Sequence, residues 1–207
     1  MRKDTNQADH WNDRFSSPDY VFGTEPNAFL AQHAHRLPQA ARILAIADGE
    51  GRNGVWLAEK GHAVTSIDIS AQGQAKAAQL AAQRGVVLDL RIADLATWDW
   101  PADSYDAVVA IFIQFADPIL RDQIFANMRR ATRPGGRILL QGYRPEQLDY
   151  ATGGPPSAEN MYTAPMLQDA FDDWIIEHLQ EHDDMLNEGA GHSGMSALVD
   201  LVARKPG

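Results

Sequence analysis

The chain has 207 residues, with 28 Asp and Glu against 18 Lys and Arg for a formal net charge of −10, and its length fits a single domain. At 44% apolar and 22% charged residues it has enough hydrophobic material for a core and too little charge to stay disordered. No window approaches the roughly 18 consecutive apolar residues of a membrane span, and the opening MRKDTNQADHWNDRF lacks the apolar stretch of a secretory signal, so a soluble cytoplasmic protein is expected. Without cysteine there is no disulfide framework, thiolate metal site or Cys nucleophile. An acidic chain with no Lys/Arg cluster also lacks the electrostatic footprint of a nucleic-acid binder. The expected partner is a small molecule, with neither nucleic acid nor membrane.

Residues 1–41 precede the first strand and carry Trp11, Phe15, Tyr20 and Phe22, the aromatics of a helical lid or of simple packing; the core is expected over 42–207. Arg42 to Ala47 is a short apolar strand, followed by a Gly-rich turn and a helix, RNGVWLAEK, that stops at Gly61. Ala63 to Asp68 is a buried strand, Ser70 a helix N-cap, and Gly85 the stop after Arg84. Val87 to Ala93 and Tyr105 to Ile111 are strands. Asp117-Pro118 opens a helix by placing a cap before an N1 proline, and Leu120, Ile124 and Met128 share a face of it. Arg133-Pro134-Gly135-Gly136 is a turn into a fifth strand, Arg137 to Gly142. After a Gly/Pro-rich loop and a short helix near Ala164 to Ala170, Trp174 to Asp183 and Met195 to Arg204 read as an antiparallel pair joined by LNEGAGHSG. Strict β-α alternation implies a single Rossmann-like α/β domain with a mainly parallel sheet, an antiparallel last hairpin and helices on both faces.

Gly49-Glu50-Gly51-Arg52-Asn53-Gly54 is a GxGxxG turn between a strand and a helix, the context in which glycines let a nucleotide-like ligand approach the backbone. Asp68 ends the second strand, where a carboxylate accepts from both ribose hydroxyls. Asp94-Leu95 follows the third strand, where an acid accepts from an adenine amino group. A nucleoside cofactor is therefore expected.

The segments ILAIADGEGRNGVWLAEKGHAVTSIDIS, RIADL, YDAVVAIFIQF and RPGGRILLQGY resemble the motif series of class I S-adenosylmethionine-dependent methyltransferases. WNDRF, YVFGTEPNAFL, GEGRN, GYRPEQL and EGAGHSG resemble more narrowly the small bacterial methyltransferases of the tellurite-resistance type. The resemblance implies a seven-stranded sheet and S-adenosyl-L-methionine as cofactor. It implies that Gly49 and Gly51 flank the methionine part, Asp68 holds the ribose, and Asp94 with Leu95 holds the adenine, with Ala47, Asp48, Asn53, Ile69 and Ile111 as further cofactor-binding residues. Trp11 and Arg14 would close over the site, with the guanidinium as partner for the cofactor carboxylate. One departure stands out: Ala45 and Ala47 occupy the places of the family's acid and first glycine, and Asp48 is the candidate replacement charge.

Competing signals are weaker. His178-Leu179-Gln180-Glu181-His182 matches an inverted zinc-peptidase motif, which works only on a helix. In a strand four residues advance roughly 13 Å, and the apolar start of this stretch favours a strand, so no metal site is expected. A nicotinamide-dependent oxidoreductase using the same turn and a non-catalytic cofactor-binding protein remain as alternatives. Methyl transfer from a sulfonium needs positioning more than acid–base chemistry. With no clear base, a small soft or anionic acceptor such as a thiol or metalloid oxyanion is expected, facing Phe112 to Phe115, the Tyr143 to Tyr150 loop and His192. His192 is the candidate catalytic residue, as a base or as an orienting donor, because the last hairpin's connection reaches the sheet's carboxyl edge.

Overall fold

The computed structural model describes residues 7–207. Seven strands form one sheet in the order β3-β2-β1-β4-β5-β7-β6. β1 (Arg42–Ile46), β2 (Ala63–Asp68), β3 (Asp89–Ile92), β4 (Tyr105–Ile111) and β5 (Thr132–Tyr143) are parallel, and β7 (Ser193–Arg204) runs antiparallel between β5 and β6 (Ile175–Asn187). β4 is buried along its whole length and β1 at every residue after Arg42, as central strands covered on both faces must be.

Side-chain alternation splits the core into two layers. Leu44, Ile46, Ile67 and Val108 meet Ile124, Phe125 and Met128 of α5 (Pro118–Ala131) and Leu167 of α7 (Ala164–Ala170) on one face. Ile43, Ala45, Val64 and Val109 meet Phe29 and Leu30 of α2 (Ala28–His33) and Leu57 of α3 (Arg52–Glu59) on the other. Each fully buried Leu, Ile, Phe or Met contributes about 1.5–3 kcal/mol. The caps fall where the sequence puts them. Ser70 accepts from Gly73 N to open α4 (Ala71–Arg84), Asp117 accepts from Leu120 N ahead of Pro118, and Gly85 ends α4 in the left-handed region. Among the described residues, no helix is long and apolar enough to cross a membrane.

Four boundaries differ from expectation. β3 is shorter, because an edge strand with one neighbour keeps only the ladder opposite Thr65 to Asp68, and Val87 is left 89% exposed. β5 is longer, because Arg133 to Gly136 bulges within the strand: Tyr105 pairs with Thr132 and Ala107 with Arg137, so Asp106 faces four residues. The final hairpin continues through Asn187 and Ser193, leaving only residues 188–192 as the turn. The extra length of β6, Asp184 to Asn187, lies at the open edge of the sheet and buries only Leu186, so no apolar alternation announced it. In this strand His178 pairs with Val202 and His182 with Leu198. His182 Nε2 lies 2.9 Å from Asp200, whereas the His178 ring stacks at 4.5 Å on His33.

A buried polar chain ties the segment before β1 to the rest. Asn27 caps α2 by accepting from Leu30 N, and its own N–H donates to Asn53 Oδ1. Its Nδ2 donates to Gln141 Oε1 at 2.6 Å and to Glu188, while Gln141 donates to Asp200. Asn27→Ala removes a cap and leaves buried acceptors unpaired, so we expect a loss of about 2–4 kcal/mol in urea denaturation. A loss under about 1 kcal/mol would show that the chain of bonds is not coupled to folding.

Candidate functional site

The glycine turn lies at the carboxyl end of β1. Gly51, with φ 85°, is the N-cap of α3, a backbone conformation open to glycine at little cost. A Cβ there would also come within 2.5 Å of Ala77 Cβ on α4, so the turn and α4 need each other's small residues. Gly49 lies under the Phe15 ring, which is itself 2% exposed. Asp68, at the end of β2, accepts from Gly49 N on Oδ2 and from Ser70 N on Oδ1, both at 2.8 Å. Burial pushes this carboxyl above the usual range against the backbone donors of Ser70, Gly49 and Ile69. Asp94 ends β3 exposed, with one oxygen on Ala96 N. Leu95 is buried behind it, and Ile69 is half-buried beside Asp68.

The two alanines of the turn now have a structural account. Ala47 has φ 46°, so this position asks for a left-handed residue and has a Cβ instead. Ala45 is buried and pairs with Ser66 on β2. Ser66 Oγ donates at 2.8 Å to Asp48, whose other oxygen accepts from Gly54 N. The Asp48 carboxyl, in the turn after β1, thus reaches back to β2 beside Ala45. Gly54 is needed for it, since a Cβ there would come within 2.4 Å of Asp48 Oδ2. Burial pushes Asp48 up to about 7.

α1 (Gln7–Arg14) lies over the start of α4, where Asn12 accepts from Ser70 Oγ and Gln72 N. Trp11 stacks on Phe15, and the Arg14 guanidinium sits over Trp11 and Phe22. Phe22 leads to His192, with ring centres 4.5 Å apart, and Phe112 covers the opposite side of the imidazole at 4.3 Å. Phe112 follows Ile111 at the end of β4 with φ 55°, a strained backbone for a bulky residue. The chain between α1 and α2 docks on the hairpin turn through backbone contact: Gly191 N donates to Val21 O, and a Cβ on Gly189 would come within 2.4 Å of Gly23 N.

His192 is therefore not a solvated loop residue. It is 7% exposed, and its Nδ1 lies 2.5 Å from the Tyr143 hydroxyl. Burial, with Arg52 and Arg14 adding to it, pushes the imidazole down to about 3, so it is neutral at physiological pH and a poor base. Burial and the charge of Glu188 push the Tyr143 phenol up, so it keeps its proton. His192 is the hydroxyl's one hydrogen-bond partner among the described residues, and donation from Tyr143 to Nδ1 satisfies both groups; the reverse would strand a buried phenolic proton. The imidazole proton then sits on Nε2, which bonds no other group among the described residues.

The structure brings Trp11, Arg14, Asp68, Ile111 and His192 to one edge of the sheet with the glycine turn, and Asp94 to its far side beyond β2. Sequence reasoning missed Asn27, Arg52 and Glu188. Arg52 Nη2 pairs with Glu188 at 2.7 Å, and Glu188 also accepts from Ala28 N. Asn27 had a readable signal, an N-cap residue before Ala-Phe-Leu. Glu188, in a glycine-rich turn, had none.

Residues 43–136 match the family described as methyltransferase domain. Over 143 residues the chain is 28% identical to the tRNA 5-carboxymethoxyuridine methyltransferase of Escherichia coli strain K12, covering 62% of this chain and 54% of that one. It thus spans about half the length of that curated relative. A structure from echinomycin biosynthesis, concerned with conversion of a disulfide bond into a thioacetal group, superposes with a TM-score of 0.76 at 20% identity, over 96% of this chain and 91% of that one. Sheet order, glycine turn and strand-end acids agree with the methyltransferase-domain match and with the class I S-adenosylmethionine-dependent methyltransferase fold, which the chain shares. Within it, TehB from Haemophilus influenzae shares the fold, with a TM-score of 0.71 at 19% identity over 96% of this chain and 66% of that one.

Two predictions concern the turn. Between about pH 4 and pH 7 the unfolded chain has released the Asp48 proton that the folded chain keeps, so this group's contribution makes stability fall as pH rises through that window. The total is on the order of 3–4 kcal/mol, and Asp48→Asn should remove it; urea midpoints that run parallel with pH in both proteins would refute the assignment. Ala47→Gly relieves a left-handed alanine that costs about 1–2 kcal/mol, offset in part by the entropy of glycine in the unfolded chain. A net gain of about 1 kcal/mol is expected in the same assay, and a loss would show that the Cβ packs better than its backbone suffers.

Proposed function

We propose that the chain transfers the methyl group of S-adenosylmethionine to a small acceptor that is soft or already anionic, with His192 as a neutral orienting donor. The observation that supports this most is the enclosure of His192, held by Tyr143 on one nitrogen and by two aromatic faces, with Nε2 unbonded among the described residues. A group pushed down to about 3 does not take a proton from an alcohol or ammonium near neutrality. Asp48, the carboxyl nearest to neutral titration, is engaged by Ser66 and Gly54. An acceptor that arrives deprotonated needs neither.

The residues suit the cofactor. Asp68 accepts at the ribose end and Asp94 offers an exposed carboxylate at the adenine end, while Ala47, Asp48, Gly49, Gly51 and Asn53 line the turn on the other side of Asp68 and Leu95 and Ile111 supply apolar walls. Bound S-adenosylmethionine supplies an electrophilic methyl on a sulfonium. The protein holds nucleophile and methyl in line, a contribution on the order of 7–11 kcal/mol, and excludes water under the lid formed by the segment through Phe22. Trp11 and Arg14 close that lid. The curated relative is named for a tRNA nucleoside, but a net charge of −10 opposes a phosphate backbone, which favours a small molecule here. The methyltransferase-domain match sets aside a nicotinamide enzyme.

Asp68→Ala should weaken S-adenosylmethionine binding by about 1.5–3 kcal/mol in calorimetry while the fold persists. His192→Ala should raise the acceptor KM, leave cofactor affinity unchanged and leave the rate flat between about pH 5.5 and 7.5. A wild-type rate that climbs through about pH 6.5 and loses this slope in His192→Ala would make the residue a base instead.

A further inference from the structure

Arg52 is a buried cation with one of its terminal nitrogens unpartnered. It is 6% exposed; Nη2 is paired with Glu188, and Nη1 is buried with no hydrogen-bond partner. A guanidinium has five N–H donors, and a buried donor of a charged group left unsatisfied is costly. Such a group calls for a partner, which an ordered water or a bound ligand supplies. The residue follows Gly51 directly at the first turn of α3, and its charge acts on Asp48 to one side and on His192 and Tyr143 to the other. It therefore spans the space between the glycine turn and the aromatic stack. The second cation acting on His192 is Arg14, which among the described residues touches only the Trp11 and Phe22 rings. Against two guanidinium groups the structure sets one carboxylate, Glu188, in direct ion-pair contact with Arg52. Asp48 is the other carboxyl that feels Arg52, but Ser66 and Gly54 N occupy it and burial holds it near half-protonation, so Nη1 is left for an incoming anion.

We infer that Arg52 is a fixed binding residue for the carboxylate at the methionine end of the cofactor, gripping it from the floor while Arg14 approaches from the lid. This rests on the methyltransferase reading above. It assigns the two cations different roles: Arg52 is anchored by Glu188 whether or not ligand is bound, and Arg14 is carried by α1 and is exposed. It also gives Glu188 a purpose, since a carboxylate held by Asn27 and Ala28 N keeps the guanidinium from swinging away.

The test compares two ligands that share the nucleoside and differ at its far end: S-adenosylhomocysteine, which carries the amino-acid carboxylate, and 5′-methylthioadenosine, which lacks it. In calorimetric titrations of the full chain, Arg52→Gln should weaken S-adenosylhomocysteine by roughly 10- to 150-fold, the span of a charged hydrogen bond, and leave 5′-methylthioadenosine within about twofold. Equal weakening of both ligands would make Arg52 a support for the turn, and unchanged binding of both would remove it from the site; either overturns the assignment. If the wild-type chain binds neither ligand, the methyltransferase reading falls first and this one with it. Should Arg52→Gln lose its folded circular-dichroism signal, Arg52→Lys carries the same comparison, because one ammonium beside Glu188 cannot reproduce the second guanidinium nitrogen.

Discussion

A carboxylate buried at the tip of the last hairpin organises this protein. Glu188 sits where desolvation alone would cost several kcal/mol, and it is tolerated because Arg52, Asn27 and Ala28 N converge on it. Each of those groups belongs to a different part of the chain: the first turn of α3, the approach to α2, and α2 itself. The hairpin turn, the glycine turn and the segment preceding the sheet are therefore held at fixed distances by one charge. Through Asn27 the same constraint passes to Gln141 on β5 and Asp200 on β7. Buried polar chains of this kind are stable only when complete, which is why the lid side of the site and the sheet side cannot vary independently.

That arrangement explains the chemistry at the sheet's edge. The same burial that demands partners for Glu188 also strips His192 of its ordinary basicity and keeps Tyr143 protonated. What results is a set of neutral, oriented dipoles and fixed cations around a dry aromatic stack. On the proposed function, such a surface would align a reactive pair and stabilise negative charge, with little capacity to move protons.

Much of this was legible in the sequence. The strands from Arg42 to Ile111 and the caps at Ser70 and Asp117 follow from period and end signals, because those elements are buried on defined faces. The end of β6 was illegible for the opposite reason: Asp183 to Asn187 pairs on one side only, so its composition is that of a loop. The RPGG bulge reads as a turn because it has turn chemistry; only the register across Asp106 shows that the ladder resumes. At the site, single-residue signals such as Asp68 and the glycines could be found locally. Arg52, Asn27 and Glu188 matter through one another, across 161 positions from Asn27 to Glu188, and no local pattern reports such a relation. His192 lies in the hairpin turn, as the strand pattern expected, but its protonation is a property of the groups packed around it.

The position of β7 has a consequence for how the molecule is made. The strand from Ser193 to Arg204 is inserted between two earlier ones and is almost wholly buried. During synthesis, β5 and β6 must wait apart, and the bonds that run through Asp200 and Glu188 cannot form until both have left the ribosome. The glycine turn and its flanking β-α units can assemble early from local contacts, whereas the lid acquires its anchor only at the end. A ribosome-bound chain stalled before Glu188 would thus hold a formed nucleoside cradle beneath an undocked cover. Maturation of the site is the closing of that cover, timed by the translation of the final strand.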